Sequence, residues 1–264
     1  MSKYICIFCG SSEKLSREHI WADWLRNYLP RTEARATHYV AGSNTGGNIM
    51  RGKLNRPGDL HAQRLQVVCK QCNNVWMGNL QELAKPHIIA LLSDWVTLSV
   101  EASAVLAAWA TMFTMVNEFA DPDTAKISQQ QRNYFMQNRA TPPGWTVWIG
   151  RVDLQAKHPA IANHHGATIV FQDKLGINRK VNFQSTGFSV GNILFQTLML
   201  DDLGINIEAR TIADQFGLRI LHPFHGDVQG DEPPKILDRS AFFRLSNGFA
   251  STFGLPAFAT GPTV

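Results

Sequence analysis

The sequence predicts an α+β chain in two parts, and three observations predict it. Four cysteines stand as two Cys-x-x-Cys pairs in the first 72 residues. An almost wholly apolar stretch, residues 102–116, reads as a central helix. Beyond residue 144, segments rich in Val, Ile, Phe and Trp alternate in strand fashion. A chain of 264 residues has room for one or two domains. The expected division is a small unit over 1–85 and an α+β domain over 86–264, with helices in 87–139 and mainly strands in 144–221. Pro86 is expected to mark the break.

Composition narrows the class. Apolar residues make up 44% of the chain, with 15 Phe and 7 Trp, so a sizeable core can form and wholesale disorder is excluded. The net charge is +4 but unevenly placed. The first 90 residues carry 12 Lys+Arg against 6 Asp+Glu, whereas the remainder is slightly acidic. No targeting segment is visible at the start. The stretch 102–116 falls short of the roughly 20 apolar residues a spanning helix needs, so no membrane is expected. A cytoplasmic setting follows, where structural disulfides are rare.

All four cysteines fall in the pairs Cys6/Cys9 and Cys69/Cys72. Two thiolates three positions apart can grip one tetrahedral Zn²⁺ from a tight turn, and two such knuckles close a four-sulfur site. Separate redox pairs or disulfides are the alternatives. A thioredoxin-type pair would sit at the strand-to-helix turn of a βαβ unit, which these flanks do not suggest. The long insert between the knuckles means that something is mounted there.

Three strings recur in order: Cys6-Ile7-Phe8-Cys9, then Glu18-His19-Ile20-Trp21-Ala22-Asp23-Trp24-Leu25, then Cys69-Lys70-Gln71-Cys72-Asn73-Asn74-Val75-Trp76-Met77. Together they resemble the HNH endonucleases of the His-Me finger, or ββα-metal, superfamily, and most closely a bacterial and phage subgroup. The resemblance covers about residues 1–85. It implies a zinc-bound ββα-metal (HNH) module, followed by a helical bridge and a C-terminal antiparallel β-sheet domain. It implies a nuclease, a phosphodiester hydrolase, with His19 as general base. Glu18 and Asn73 would hold a catalytic Mg²⁺ or Mn²⁺, and zinc would be architectural. DNA is the implied substrate, with RNA as the alternative.

The residue types suit that chemistry. Phosphodiester hydrolysis needs an activated water and a cation on the phosphate. A neutral imidazole is a suitable base near pH 7, and a hard cation takes oxygen ligands while keeping several waters. Basic residues Arg17, Arg51, Lys53, Arg56, Arg64 and Lys70 form the expected nucleic-acid-binding surface; a solvated basic loop is the plainer reading. Trp76, Leu80 and Leu83 are spaced for one helix face, with Asn73 or Asn74 as its N-cap. Trp21, Trp24 and Trp76 read as core.

The chain also departs from the HNH pattern. Arg64 stands where an asparagine usually fastens the loop around the histidine, with Asn48 and Asn55 as substitutes nearby. Gln81 stands where many subgroup members have Glu, and Ala22 replaces a proline. These departures keep a second reading open: a zinc-stabilised nucleic-acid-binding protein with a degenerate nuclease centre. A purely structural zinc protein is a third. His222/His225 and His164/His165 lack acid or sulfur partners at ligand spacing and read as ordinary histidines. The 86–264 domain suits substrate positioning, homodimerisation, ligand binding or docking of a protein partner, and its sequence does not choose among them.

Overall fold

The computed structural model describes residues 5–31, 41–43, 49–51, 60–154, 159–172, 176–201, 208–223 and 233–252, with backbone alone for 41–43, 49–51 and Phe171. Strand β1, Leu15–His19, pairs antiparallel with a strand far along the chain. Strands β2, Ala41–Ser43, and β3, Ile49–Arg51, form a small antiparallel pair between them. The partner of β1 is β4, Arg64–Cys69, in a register that sets Leu15 opposite Cys69 and His19 opposite Arg64. A bulge between Ser16 and Glu18 interrupts that ladder. Such a bulge re-aims the side chains that follow it.

Helix begins directly at the end of β4. Helix α1, Lys70–Cys72, continues through a π-helical turn, Asn73–Met77, into α2, Gly78–Ser93. The cap of this run is Cys69, whose sulfur accepts the Cys72 N–H. Asn73 and Asn74 are therefore inside the helix, and neither is the N-cap expected from sequence.

The apolar face also differs from expectation. Leu80, Ala84, Ile88 and Leu91 are buried, whereas Leu83 is 58% exposed. The π turn adds a residue to one turn and shifts the phase of everything after it. The expected break at Pro86 is absent, since Pro86 lies inside α2. Glu82 and Pro86 are both exposed, so solvent can serve the carbonyl left without its N–H.

Helix α3, Val100–Asn117, starts at a Ser99 cap and is buried almost all round, as its sequence predicts. It is long and apolar enough to cross a membrane by those two criteria alone, but 78% of its most apolar window is covered by the rest of the protein. Helix α4, Gln129–Asn138, follows two short 3-10 turns and is capped by Ser128. The buried Arg132 of α4 forms an ion pair with Glu118 and donates to the Met115 carbonyl (2.9 Å).

The strand-rich part is a six-stranded sheet. Strands β5 (Trp145–Asp153), β6 (Ala160–Gln172), β7 (Asn178–Val190) and β8 (Ile193–Leu200) run antiparallel, in the order β5-β8-β7-β6. Helix α5, Ala209–Phe216, precedes β9, Arg219–His222, which pairs with the first half of β5. Strand β10, Ile236–Asp238, lies parallel to the end of β5. Helix α6, Arg239–Thr252, closes the described chain.

The sheet buries both faces. Val147, Ile149, Phe188 and Phe195 join α3 and the N-terminal unit in one continuous core. Trp148, Phe183, Leu194 and Leu198 face a second core built on α5 and α6. The alternation along β5 is the period of two that a strand enforces. Thr114 of α3 hydrogen-bonds Thr197 of β8 at 3.0 Å, and Thr111 bonds Thr141 at 3.0 Å.

Candidate metal centre and adjoining polar site

The four cysteines, drawn from two chain segments 60 residues apart, converge. Their sulfurs all lie within 4.8 Å of one another, and Cys9 Sγ is 3.6 Å from Cys69 Sγ. All four thiols are free. Zn–S bonds of about 2.3 Å set tetrahedral S···S edges near 3.8 Å, so the cluster fits one zinc ion.

Local structure explains the convergence. The first knuckle folds back on itself through Cys6 N–H to Ser11 O (2.8 Å) and Gly10 N–H to Cys6 O (2.9 Å). Gly10 closes that turn at φ +70°, where a side chain would be strained. Ile7 N–H bonds Val67 O (2.9 Å), which ties the knuckle to β4. The amide of Gln129 on α4 donates to the Ile7 and Phe8 carbonyls.

Beneath the sulfurs lies an aromatic trio: Phe8 meets Trp76 edge-on at 4.9 Å, and Phe135 packs against both. Burial pushes the Cys72 and Cys9 thiols up, and neighbouring sulfurs push further. A divalent cation among them reverses that preference, because a coordinating thiol is deprotonated outright.

The sequence-predicted polar residues lie on the same strand pair. Glu18 is turned inward by the bulge and is 9% exposed. Asn73, one residue after the last cysteine, donates its side-chain amide to Ser16 Oγ (3.0 Å) and also hydrogen-bonds Glu18. Burial raises the Glu18 carboxyl to about 7, with the Asn73 hydrogen bond opposing. A cavity of about 10 Å³ beside Glu18, bordered by Gln81 and Trp109, has room for one water at most.

His19 borders the same cavity and keeps 18% of its side chain exposed. Its Nε2 lies 2.9 Å from Arg64 Nε and 3.2 Å from Asp23 Oδ1. Burial lowers its pKa, the Arg64 charge lowers it further, and Asp23 pulls the other way. His19 is therefore neutral near pH 7.

Two contacts give the sequence departures a physical reason. Arg64 stands directly across the ladder from His19, so a guanidinium holds the imidazole where an asparagine was expected. Gln81 Oε1 accepts the indole N–H groups of Trp109 (2.9 Å) and Trp24 (3.4 Å). Trp21 and Trp76 are core as expected, whereas Trp24 is only partly buried.

Sequence reasoning missed Asp23 and Ser16 as partners of the site. The spacing of His19 to Asp23, and of Asp23 to Arg26, was the available signal. Arg17, Arg64 and Lys70 are exposed on the β1–β4 pair and the start of α1. Arg51 sits in β3 by its backbone, and Lys53, Arg56, Asn48 and Asn55 lie outside the described residues.

Among the described residues, the four cysteines are the one group of three or more metal-ligating side chains close enough to share an ion. Glu18 and Asn73 offer a hard cation one carboxylate and one amide. The amide presents nitrogen to Glu18 and Ser16, so its oxygen becomes a ligand only after a half-turn.

His164 and His165, expected from sequence to be ordinary histidines, lie buried on β6. His164 bonds Thr186 Oγ1 (2.7 Å), and His165 bonds Asn247 Oδ1 (2.8 Å). His225 lies outside the described residues.

No family model matches the chain, and neither a curated protein nor a solved structure matches it. The likeness to the HNH nucleases therefore rests on the motif residues themselves.

Proposed function

We propose that the chain is a metal-dependent HNH endonuclease that hydrolyses phosphodiester bonds in DNA. The supporting observation is the company of three residues. Glu18, His19 and Asn73 come together on one strand pair and the helix that follows it, beside a four-sulfur cluster fit for zinc. A β-β-α arrangement clipped by zinc is what the HNH resemblance implies for residues 1–85.

Glu18, and Asn73 once its amide oxygen is turned inward, would hold the catalytic Mg²⁺ or Mn²⁺, which would supply Lewis acidity to the scissile phosphate and charge neutralisation to the leaving oxygen. His19, neutral near pH 7, takes the proton from the attacking water. Arg64, Arg17 and Lys70 face the phosphates. The zinc is structural and fixes the knuckles to β4 and α1.

Two observations favour the second reading, a zinc-stabilised nucleic-acid-binding protein with a degenerate centre. Glu18 is buried, and the His19 Nε2 is already engaged by Arg64. One experiment separates the two. Zinc-loaded protein is incubated with supercoiled plasmid and Mg²⁺ or Mn²⁺, alongside a chelator control and His19→Ala. Nicking that needs both the cation and His19 supports the nuclease. DNA binding without nicking supports the degenerate centre.

A further inference from the structure

Helix α2 and the π turn before it divide their side chains between two recesses. Met77 and Gln81 border the small cavity beside Glu18. Trp76 and Leu80 instead line a cavity of about 350 Å³ against α3 and the end of α4. Small-molecule sites occupy about 300–1,000 Å³, so this one is large enough to hold a ligand. Its walls are mainly apolar. Ala104, Ala107 and Ala108 of α3 bring only methyl groups to it, leaving open a space that larger side chains would fill. Leu83 and Val100 also line it, and each is at least half exposed. Apolar surface left wet in this way gains free energy by being covered.

A guanidinium stands at the same cavity. Arg139 ends α4 at φ +56°, the left-handed position that glycine commonly takes at a helix end. Its guanidinium carbon lies over the Trp76 ring, 4.5 Å from the centroid. Among the described residues no carboxylate pairs with it, and no Asp or Glu lines the cavity. Arg139 is exposed, so its donors are open to a ligand.

We propose that this cavity binds a monocarboxylate with an aliphatic tail, a medium-chain fatty acid. The tail covers the alanines of α3 and the Leu83 side chain, and the carboxylate meets Arg139, whose fork matches it with two parallel hydrogen bonds. The tail is aliphatic because Trp76 is the one aromatic ring at the cavity, and Arg139 already lies over it. The head carries a single charge because one guanidinium faces it. Cys72, a zinc ligand when the cluster is filled, is the charged neighbour of Arg139, and its negative charge opposes a doubly charged phosphate monoester. The site uses none of Glu18, His19 and Asn73, so it stands apart from the nuclease reading.

The test is calorimetric titration of the zinc-loaded full chain with octanoate and, separately, with octanol, which has the same tail and no charge. Octanoate should bind saturably, one per chain, and about 10- to 100-fold more tightly than octanol, the worth of one hydrogen bond to a charged group. Arg139→Gln should remove that preference and leave the two ligands equal. Ala104→Trp, at an exposed position on the cavity wall, should fill the space and abolish binding of both. Zinc content and thermal unfolding check the fold of each variant; if Arg139→Gln loses zinc, the two ligands on the wild type and Ala104→Trp decide. Absence of saturable octanoate binding overturns the proposal. So does octanol binding as tightly as octanoate, a preference that survives Arg139→Gln in zinc-loaded protein, or octanoate binding undiminished in Ala104→Trp.

Discussion

Glu18→Gln should stabilise the protein at alkaline pH and do little at acid pH. Burial lifts the Glu18 carboxyl from its ordinary 4.5 to about 7 in the folded chain. Below pH 4.5, folded and unfolded forms both hold the proton and the residue costs nothing. Between the two values the unfolded chain ionises first, so stability falls as pH rises. Above 7 both forms are ionised and the whole desolvation penalty is felt. At about 1.36 kcal/mol per unit, the shift amounts to on the order of 3 kcal/mol. Glutamine keeps an acceptor for the Asn73 amide and carries no charge to desolvate. For a chain of this size, each kcal/mol moves Tm by roughly 2–4 °C, so the variant should melt about 6–12 °C higher at pH 8.5 and nearly level with the wild type at pH 4.5. The assay is thermal unfolding of zinc-loaded protein in Mg²⁺-free buffer. If Glu18 is a ligand, added Mg²⁺ should raise the wild type toward the variant. An equal wild-type-to-variant difference at both pH values would refute the reasoning, because a desolvated carboxylate cannot cost the same when protonated.

Other expectations are separate in cause. Elemental analysis should find one zinc per chain, and Cys69→Ser with Cys72→Ser should lose both the zinc and the cooperative unfolding of the N-terminal unit, since bound metal supplies folding free energy. Gln81→Leu leaves the buried Trp109 N–H without its acceptor and should cost about 1–3 kcal/mol in urea unfolding. Burial lowers His164 to about 3, so the unfolded chain binds its proton first as pH falls. Stability should therefore drop from about pH 6.5 downward, and His164→Asn should flatten that loss in an acid titration followed by circular dichroism.

The sequence made some features plain and hid others for physical reasons. The paired cysteines were legible because a four-sulfur site demands short spacing within each knuckle, which survives any intervening insert. Strands β5 to β8 were legible because a sheet buried on both faces selects β-branched and aromatic residues.

Helix α6 was not legible. Ser240, Ser246, Asn247 and Gly248 give it the composition of a loop. Two of those polar residues are what docks it: Asn163 of β6 donates to Ser246 Oγ and Asn247 Oδ1, both at 2.7 Å. Gly187 of β7 also makes room for the helix, since a Cβ there would lie 2.7 Å from that of Ser246. Packing overrode propensity.

The outward turn of Leu83 was hidden because a π turn leaves no mark on an apolar spacing pattern. Arg64 read as a departure in sequence, and only the β1–β4 register reveals that it meets His19. Asp23 reaches His19 because a 3-10 turn begins just after β1, a geometry that strand periodicity does not forecast.

The central claim is that a cation and His19 together cut DNA, and plasmid nicking measures it most directly. Zinc-loaded protein with Mg²⁺ or Mn²⁺ should convert supercoiled plasmid to the nicked form, and a chelator of the added cation should stop it. His19→Ala should lower the rate by about 10²–10⁴-fold, the usual worth of a general base, with zinc content and salt-dependent DNA binding unchanged. Cleavage by His19→Ala at a comparable cation-dependent rate, or no cleavage by the zinc-loaded wild type with either cation, contradicts the account.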